Sequence, residues 1–354
     1  MQVDTTNDAL RHPTLYKASG DLAISAVDGD VTHLYRVHAL ILAEHSPVFA
    51  GMLTLPAAAD ASVQTYDGAP VVHLPDNAKE VKTLLEVLYT PVHPIFKKER
   101  TFARDVYGLM SIATKYQIDS ICAAVSTRLK EQWPFTKVEF IRTREDSHRS
   151  WVGPIHGVGR RIPEPASAIR LATDFNIPEV LPAAYYDLAT HEIISLYSSQ
   201  VKSMAPQWDL LLPEELLRYY QGKHQLTRQF VRCVNMFSSY HDDECETVFD
   251  DFDYDAGEYS DSSACRQALE KARTSWNDQL HPIETGYISL MRADVMHALV
   301  GVYDDRRKHK LCRPCEVDLG ARCKSAIEAL WNDLPAIFSL KGLPFYALTP
   351  RGQH

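Results

Sequence analysis

Between residues 20 and 53 the hydrophobic pattern changes period, and this change constrains the fold more than any other feature of the sequence. Leu22, Ile24 and Ala26 share one face at a period of two, the spacing of a strand. Asp28-Gly29-Asp30 follows with turn chemistry, because Gly and Asp tolerate positive φ, and Leu34 to Val37 reads as the return strand. The spacing then becomes helical. One helix centres on Leu40-Ile41-Leu42, and Ser46-Pro47 opens another. Serine is a good N-cap, and proline suits the first helical position, where its missing N–H is not needed. Val48, Phe49, Met52 and Leu53 continue that second helix at helical spacing.

The pattern goes on in the same manner. Residues 54 to 70 read as a loop, Val71 to Leu74 as a short strand closed by Pro75, and Val81, Leu84, Leu85 and Leu88 as the buried stripe of an amphipathic helix. Pro91 and Pro94 end it, and two further helices fit 103 to 115 and 117 to 131. Two strands, two helices, a strand and three helices make an α+β unit of about 120 residues, an ordinary domain size.

Several of these segments, in this order, resemble the signature of BTB/POZ domain proteins. The core of the likeness is Val37-His38-Ala39-Leu40-Ile41-Leu42-Ala43 followed by Ser46-Pro47-Val48-Phe49 and Met52-Leu53. Gly20-Asp21-Leu22 resembles the Gly-Asp-apolar start of the family's first strand. His12 to Tyr16 and Tyr66 to Pro75 are similar to segments of fungal members. The resemblance implies a BTB/POZ fold, a small sheet with helices, over residues 12–135. It implies protein recognition, with homodimers formed through an N-terminal helix and first strand at residues 12 to 25. His12, Leu15, Tyr16, Asp21, Leu22 and His38 are the interface candidates on that basis. Some members bind cullin scaffolds of ubiquitin ligases, but no clear cullin-binding signature is visible in this sequence. Read from the residues alone, His38 is a packed histidine at a strand-to-helix junction and Ser46 is a cap, with no nucleophile elbow around it.

Beyond this unit, residues 136–164 read as a linker or long loop, and residues 165–354 as a mainly helical C-terminal region. Ile112-Ala113-Thr114-Lys115-Tyr116-Gln117-Ile118 aligns with Leu171-Ala172-Thr173-Asp174-Phe175-Asn176-Ile177, a weak internal repeat of the form helix, turn, helix. Helices fit 213 to 237, 262 to 280 and 288 to 303. From His241 to Asp261 about half of the residues are Asp or Glu, and the stretch reads as a solvated, flexible loop. Asp251 to Asp255 is similar to the start of a calcium loop, but Gly257 falls one place late and Ser262 stands where the bidentate Glu belongs, so calcium is not expected. Arg306 to Lys310 is a short basic run, read as a nuclear signal or a solvated loop.

Cys312-Arg313-Pro314-Cys315 is the most chemical-looking motif, since two intervening residues let both thiolates face one metal. A tetrahedral zinc needs two more ligands, and Cys233, Cys245, Cys265, Cys323 and His241 are available. Cys233 and Cys265 are the first choices, because each falls near the end of an expected helix. The alternative is buried, reduced thiols.

The chain has 354 residues and a formal charge of −9, poorly suited to coating a phosphate backbone. No apolar run approaches the roughly 20 residues of a membrane span, and the first 30 residues have no apolar signal core, so the cytoplasm or nucleus is expected. No phosphate loop, His-Glu-x-x-His helix or compelling acid pair is present, and no catalytic residue is proposed. The expectation is an interaction protein, not an enzyme: BTB-mediated dimerisation and scaffolding with a helical partner-binding region. A cullin substrate adaptor and a transcription regulator with a structural zinc are the alternatives.

Overall fold

A computed structural model describes residues 9–54, 64–90, 92–97, 100–133, 136–142, 163–191, 206–235, 245–246, 251–253, 258–260, 264–280 and 294–340. Most of the expected linker, at residues 143–162, and Tyr254 and Asp255 of the calcium-loop likeness lie outside the described residues. The chain divides into two compact units, Met1–Gln132 and Trp133–His354.

The first unit is α+β. Its strands are β1 (Leu10–Tyr16), β2 (Leu22–Asp28), β3 (Val31–Val37), β4 (Thr65–Tyr66) and β5 (Ala69–Asn77), ordered β1-β3-β2-β5-β4 in one sheet. The hairpin expected over residues 20 to 37 is β2 and β3, antiparallel, with Asp28 opposite Val31. β2 is the central strand and Leu22 to Ala26 are all buried, so both of its faces are covered. The expected loop through Tyr66-Asp67-Gly68 holds a hairpin instead. Asp67 and Gly68 have φ of 49° and 79°, and Tyr66 pairs with Ala69, as a two-residue turn with both central residues left-handed requires.

Helices α1 (Ala39–His45), α2 (Pro47–Thr54), α3 (Ala78–Tyr89), α4 (Phe102–Asp105), α5 (Tyr107–Lys115) and α6 (Asp119–Gln132) complete the unit. Ser46 opens α2, its Oγ accepting the Phe49 N–H at 3.0 Å and donating to the Tyr116 carbonyl, while Phe49 stacks on Tyr116 with ring centroids 4.4 Å apart. The expected helix at 103 to 115 is two, broken at Val106. On α3, Val81, Leu84 and Leu85 are buried as their spacing predicts.

The second unit is mainly helical: α7 (Pro165–Asp174), α8 (Leu181–Thr190), α9 (Pro213–Asn235), α10 (Ala264–Leu280), α11 (Val295–Asp305) and α12 (Arg313–Ile337). α8 is buried nearly all round and packs against α7, α9 and α12. Tyr186 on α8 donates to Asp294 Oδ1 and accepts the Met296 N–H, each at 2.8 Å, which fastens the start of α11. The buried Glu164 carboxylate caps α7, accepting the N–H groups of Ala166, Ser167 and Gln207 at 3.0, 2.7 and 3.0 Å.

Three expectations need correction here. Residues 137–142, placed in the linker, are helical, and Phe140 is buried against Tyr186 and Trp331. The overlooked signal is the helix start Thr136-x-x-Glu139, where the Thr136 hydroxyl accepts the Glu139 N–H at 3.4 Å and donates to the Glu139 carboxylate at 2.7 Å. Within the acidic stretch, Asp251–Asp253 and Glu258–Ser260 pair as antiparallel strands, β6 and β7, where a loop was expected. The basic run is a turn of 3-10 helix, Arg306–His309.

The internal repeat has a physical basis. Gln117 and Asn176 have φ of 53° and 56°, and the next residue, Ile118 or Ile177, donates its N–H back to Ala113 or Ala172 at 2.8 Å. Both segments are therefore left-handed helix ends of the Schellman type, closed by a buried isoleucine.

Candidate functional site

Two places carry the residues that sequence reasoning singled out. The first is in the second unit, where the sulfurs of Cys245, Cys265, Cys312 and Cys315 all lie within 4.8 Å of one another. Cys312 Sγ is 2.9 Å from Cys315 Sγ and 4.0 Å from Cys245 Sγ, and the Cys312 backbone N–H donates to Cys265 Sγ at 3.2 Å. Three separate segments supply the group. Cys265 is the second residue of α10, Cys312 is the N-cap of α12 and Cys315 lies in its first turn, while Cys245 comes from the acidic stretch. Cys265 and Cys315 are buried, and Cys245 and Cys312 are half-buried.

Cys233 is not a member, which corrects the expected ligand set. It sits near the end of α9, a helix that packs on α12, the helix that carries Cys323. Burial pushes both thiols up to about 11, and for Cys323 the proximity of Cys233 adds to it. Cys245 takes the fourth place. As a lone cysteine in an acidic run it has no spacing that marks it as a ligand.

The second place is the sheet of the first unit. A flat sheet of five strands would hold its edges about 19 Å apart, at about 4.8 Å per strand. Here side chains join the two edges: Tyr16 of β1 donates to Asp67 Oδ2 at 2.6 Å, and Arg11 Nε donates to the Tyr66 hydroxyl at 3.2 Å. The sheet is therefore curled. Burial, then the bond to Asp67, pushes the Tyr16 phenol up to about 12. Pro13 sits inside β1, tolerated because this is an edge strand whose register shifts between Arg11 and Tyr16. His12 Nδ1 accepts the Leu15 N–H at 3.1 Å, and burial holds that imidazole below its ordinary range, the neutral state an acceptor nitrogen needs.

The signature segment is tied together by its own polar atoms. Asp21 Oδ1 accepts the Ala39 N–H at 2.7 Å and so caps α1 from across the chain. His38 bridges the Ser19 hydroxyl at 3.0 Å and the Tyr89 hydroxyl at 2.9 Å. A Cβ on Gly20 would stand 2.8 Å from the Val37 carbonyl oxygen, so the β3 backbone leaves no room for a side chain there.

Comparison with known families matches residues 19–132 to the BTB/POZ domain. Residues 19–132 are a BTB/POZ domain. None of the curated proteins compared with the chain matches it. A BTB/POZ domain is a protein–protein interaction module, and the matched residues begin after β1.

Within and beside the BTB/POZ domain the interface candidates fall into different roles. Leu15 and Leu22 are 3% and 2% exposed and belong to the core, so neither offers its side chain to a partner. Asp21 and His38 hold the strand-to-helix junction. His12 and Tyr16 lie on β1, which is a strand where the resemblance implied a helix. Sequence reasoning missed the exposed apolar side chains Leu10, Val27 and Val31, at the end of the sheet that holds the β2–β3 turn. Among the described residues no helix is long and apolar enough to cross a membrane.

Proposed function

We propose that the chain is a non-enzymatic protein-interaction module of the cytoplasm or nucleus. In this reading the BTB/POZ domain and β1 self-associate into a homodimer, and the helical second unit presents a surface to a partner. The observation that carries it is the BTB/POZ domain at residues 19–132. The apolar Leu10, Val27 and Val31 support it as candidate contact residues, because they are 56%, 49% and 46% exposed. The cullin-adaptor reading rests on the same domain and the transcription-regulator reading on the cysteine group, and neither has a separate observation behind it. A structural zinc fits the second unit as a staple between helices, with the cysteine group as its place.

Light scattering on the full chain tests the reading. The expected mass is that of a dimer at micromolar concentration, falling to a monomer in a Leu10→Glu, Val31→Glu double variant whose circular dichroism is unchanged. A wild-type monomer would overturn self-association. Capture of a cullin by that monomer would favour the adaptor reading instead.

A further inference from the structure

We propose that Cys245, Cys265, Cys312 and Cys315 are the four ligands of one structural zinc ion, and that this ion clasps three distant stretches of the second unit. The inference rests on the reading of that unit as zinc-stapled, and adds the identity of the ligands and what they hold together.

The geometry fits the ion. A tetrahedral zinc with Zn–S bonds of about 2.3 Å holds its sulfurs about 3.8 Å apart. The Cys312–Cys315 and Cys245–Cys312 separations of 2.9 and 4.0 Å bracket that value. Neither is a disulfide, whose sulfurs stand about 2.05 Å apart. Four thiolates in a tetrahedral set select zinc or iron over oxygen-seeking cations. Because all four positions are filled by protein, no site is left for water or substrate, and the ion's role is structural.

The charge is also provided for. Four thiolates around a dication leave a net charge of about −2, which a half-buried site must offset. Cys312 occupies the N-cap position of the 25-residue helix α12 and Cys315 lies in its first turn, where the partial positive charge of the helix end favours thiolates. The Cys312 N–H donates to Cys265 Sγ, drawing charge from a third sulfur. Arg306 to Lys310 and Arg313 place basic residues next to the Cys-x-x-Cys turn in the chain.

The consequence is architectural. Cys245 and Cys312 are 67 residues apart in the chain, and Cys265 begins a helix of its own. The ion ties Cys245 to the starts of α10 and α12, so metal binding and the joining of these three points are one event.

The test is the metal content of the full chain, with chelator competition on single variants. One zinc per chain is expected, with Cys245→Ser weakening zinc retention at least tenfold and Cys233→Ser leaving it unchanged. Replacement of zinc by cobalt(II) in the wild-type protein should give the d–d absorption of a tetrahedral tetrathiolate, which reports the ligand count even if Cys245→Ser does not fold. Absence of zinc would overturn both the stapled reading and the clasp. Zinc retained in Cys245→Ser but lost in Cys233→Ser would leave the staple and overturn this ligand set, as would a cobalt spectrum with fewer than four thiolates. Iron in place of zinc would overturn the assignment of the ion.

Discussion

Gly222 of α9 lies against the ring of Phe338, so closely that a Cβ built on the glycine would overlap the ring. Phe338 is fully buried and stacks on Tyr185 at 5.4 Å, so it has no free direction in which to swing. Two effects oppose each other in Gly222→Ala. Helix propensity favours alanine by about 1 kcal/mol, while overpacking a closed core costs about 1–3 kcal/mol. The overlap is severe, so the variant should be less stable than wild type in denaturant titration. A gain in stability would mean that the ring does not sit on Gly222.

Ser46 makes two bonds that a methyl cannot, one capping α2 and one to the Tyr116 carbonyl between α5 and α6. Ser46→Ala should therefore cost more than a simple cap, about 2–3 kcal/mol, because it also leaves a buried carbonyl without its donor. Ser46→Thr keeps the hydroxyl and should recover part of the loss. Equal stability of the alanine and threonine variants would refute this account.

Glu164 accepts three backbone N–H groups from a buried position. Gln at this position retains one acceptor oxygen and turns an NH2 group toward backbone donors. Glu164→Gln is expected to destabilise the second unit by about 2 kcal/mol, the scale of charge-assisted bonds lost in a buried site. Hydrogen exchange should locate the effect at the start of α7.

Cys233 and Cys323 set a pH dependence. Their thiols are pushed up to about 11 in the folded chain from a usual 9.0, so folding holds them protonated. A group with a raised folded value contributes fully below its unfolded value, and its contribution is lost as pH rises through the folded one. Stability of the second unit under reducing conditions should thus fall between about pH 9 and about pH 11, by an amount on the order of 2–3 kcal/mol for each thiol. A Cys233→Ala, Cys323→Ala double variant should show a flatter profile. If its profile matches the wild type, other groups control the alkaline loss.

Local patterns in the chain determined a good part of this protein. The β2–β3 hairpin, the Ser46-Pro47 helix start, the stripe on α3 and the Cys312–Cys315 pair each depend on neighbours a few residues away, so their spacing alone reveals them. The repeat ending in Ile118 and Ile177 is legible for the same reason, as a helix end closed within six residues. What depends on contacts between distant segments was decided only by tertiary structure. Pro13 disguises β1, which exists because β3 offers it a partner and because Tyr16 and Arg11 reach Asp67 and Tyr66 across the curled sheet. Leu15 and Leu22 fell to the core and not to a surface, since alternation says that a face is apolar but not what covers it. Cys245 entered the sulfur group and Cys233 left it for the same reason. A side chain's helix position says which face it shares, whereas the packing of α9 on α12 turned Cys233 toward Cys323, and the fold of the second unit carried Cys245 to Cys312.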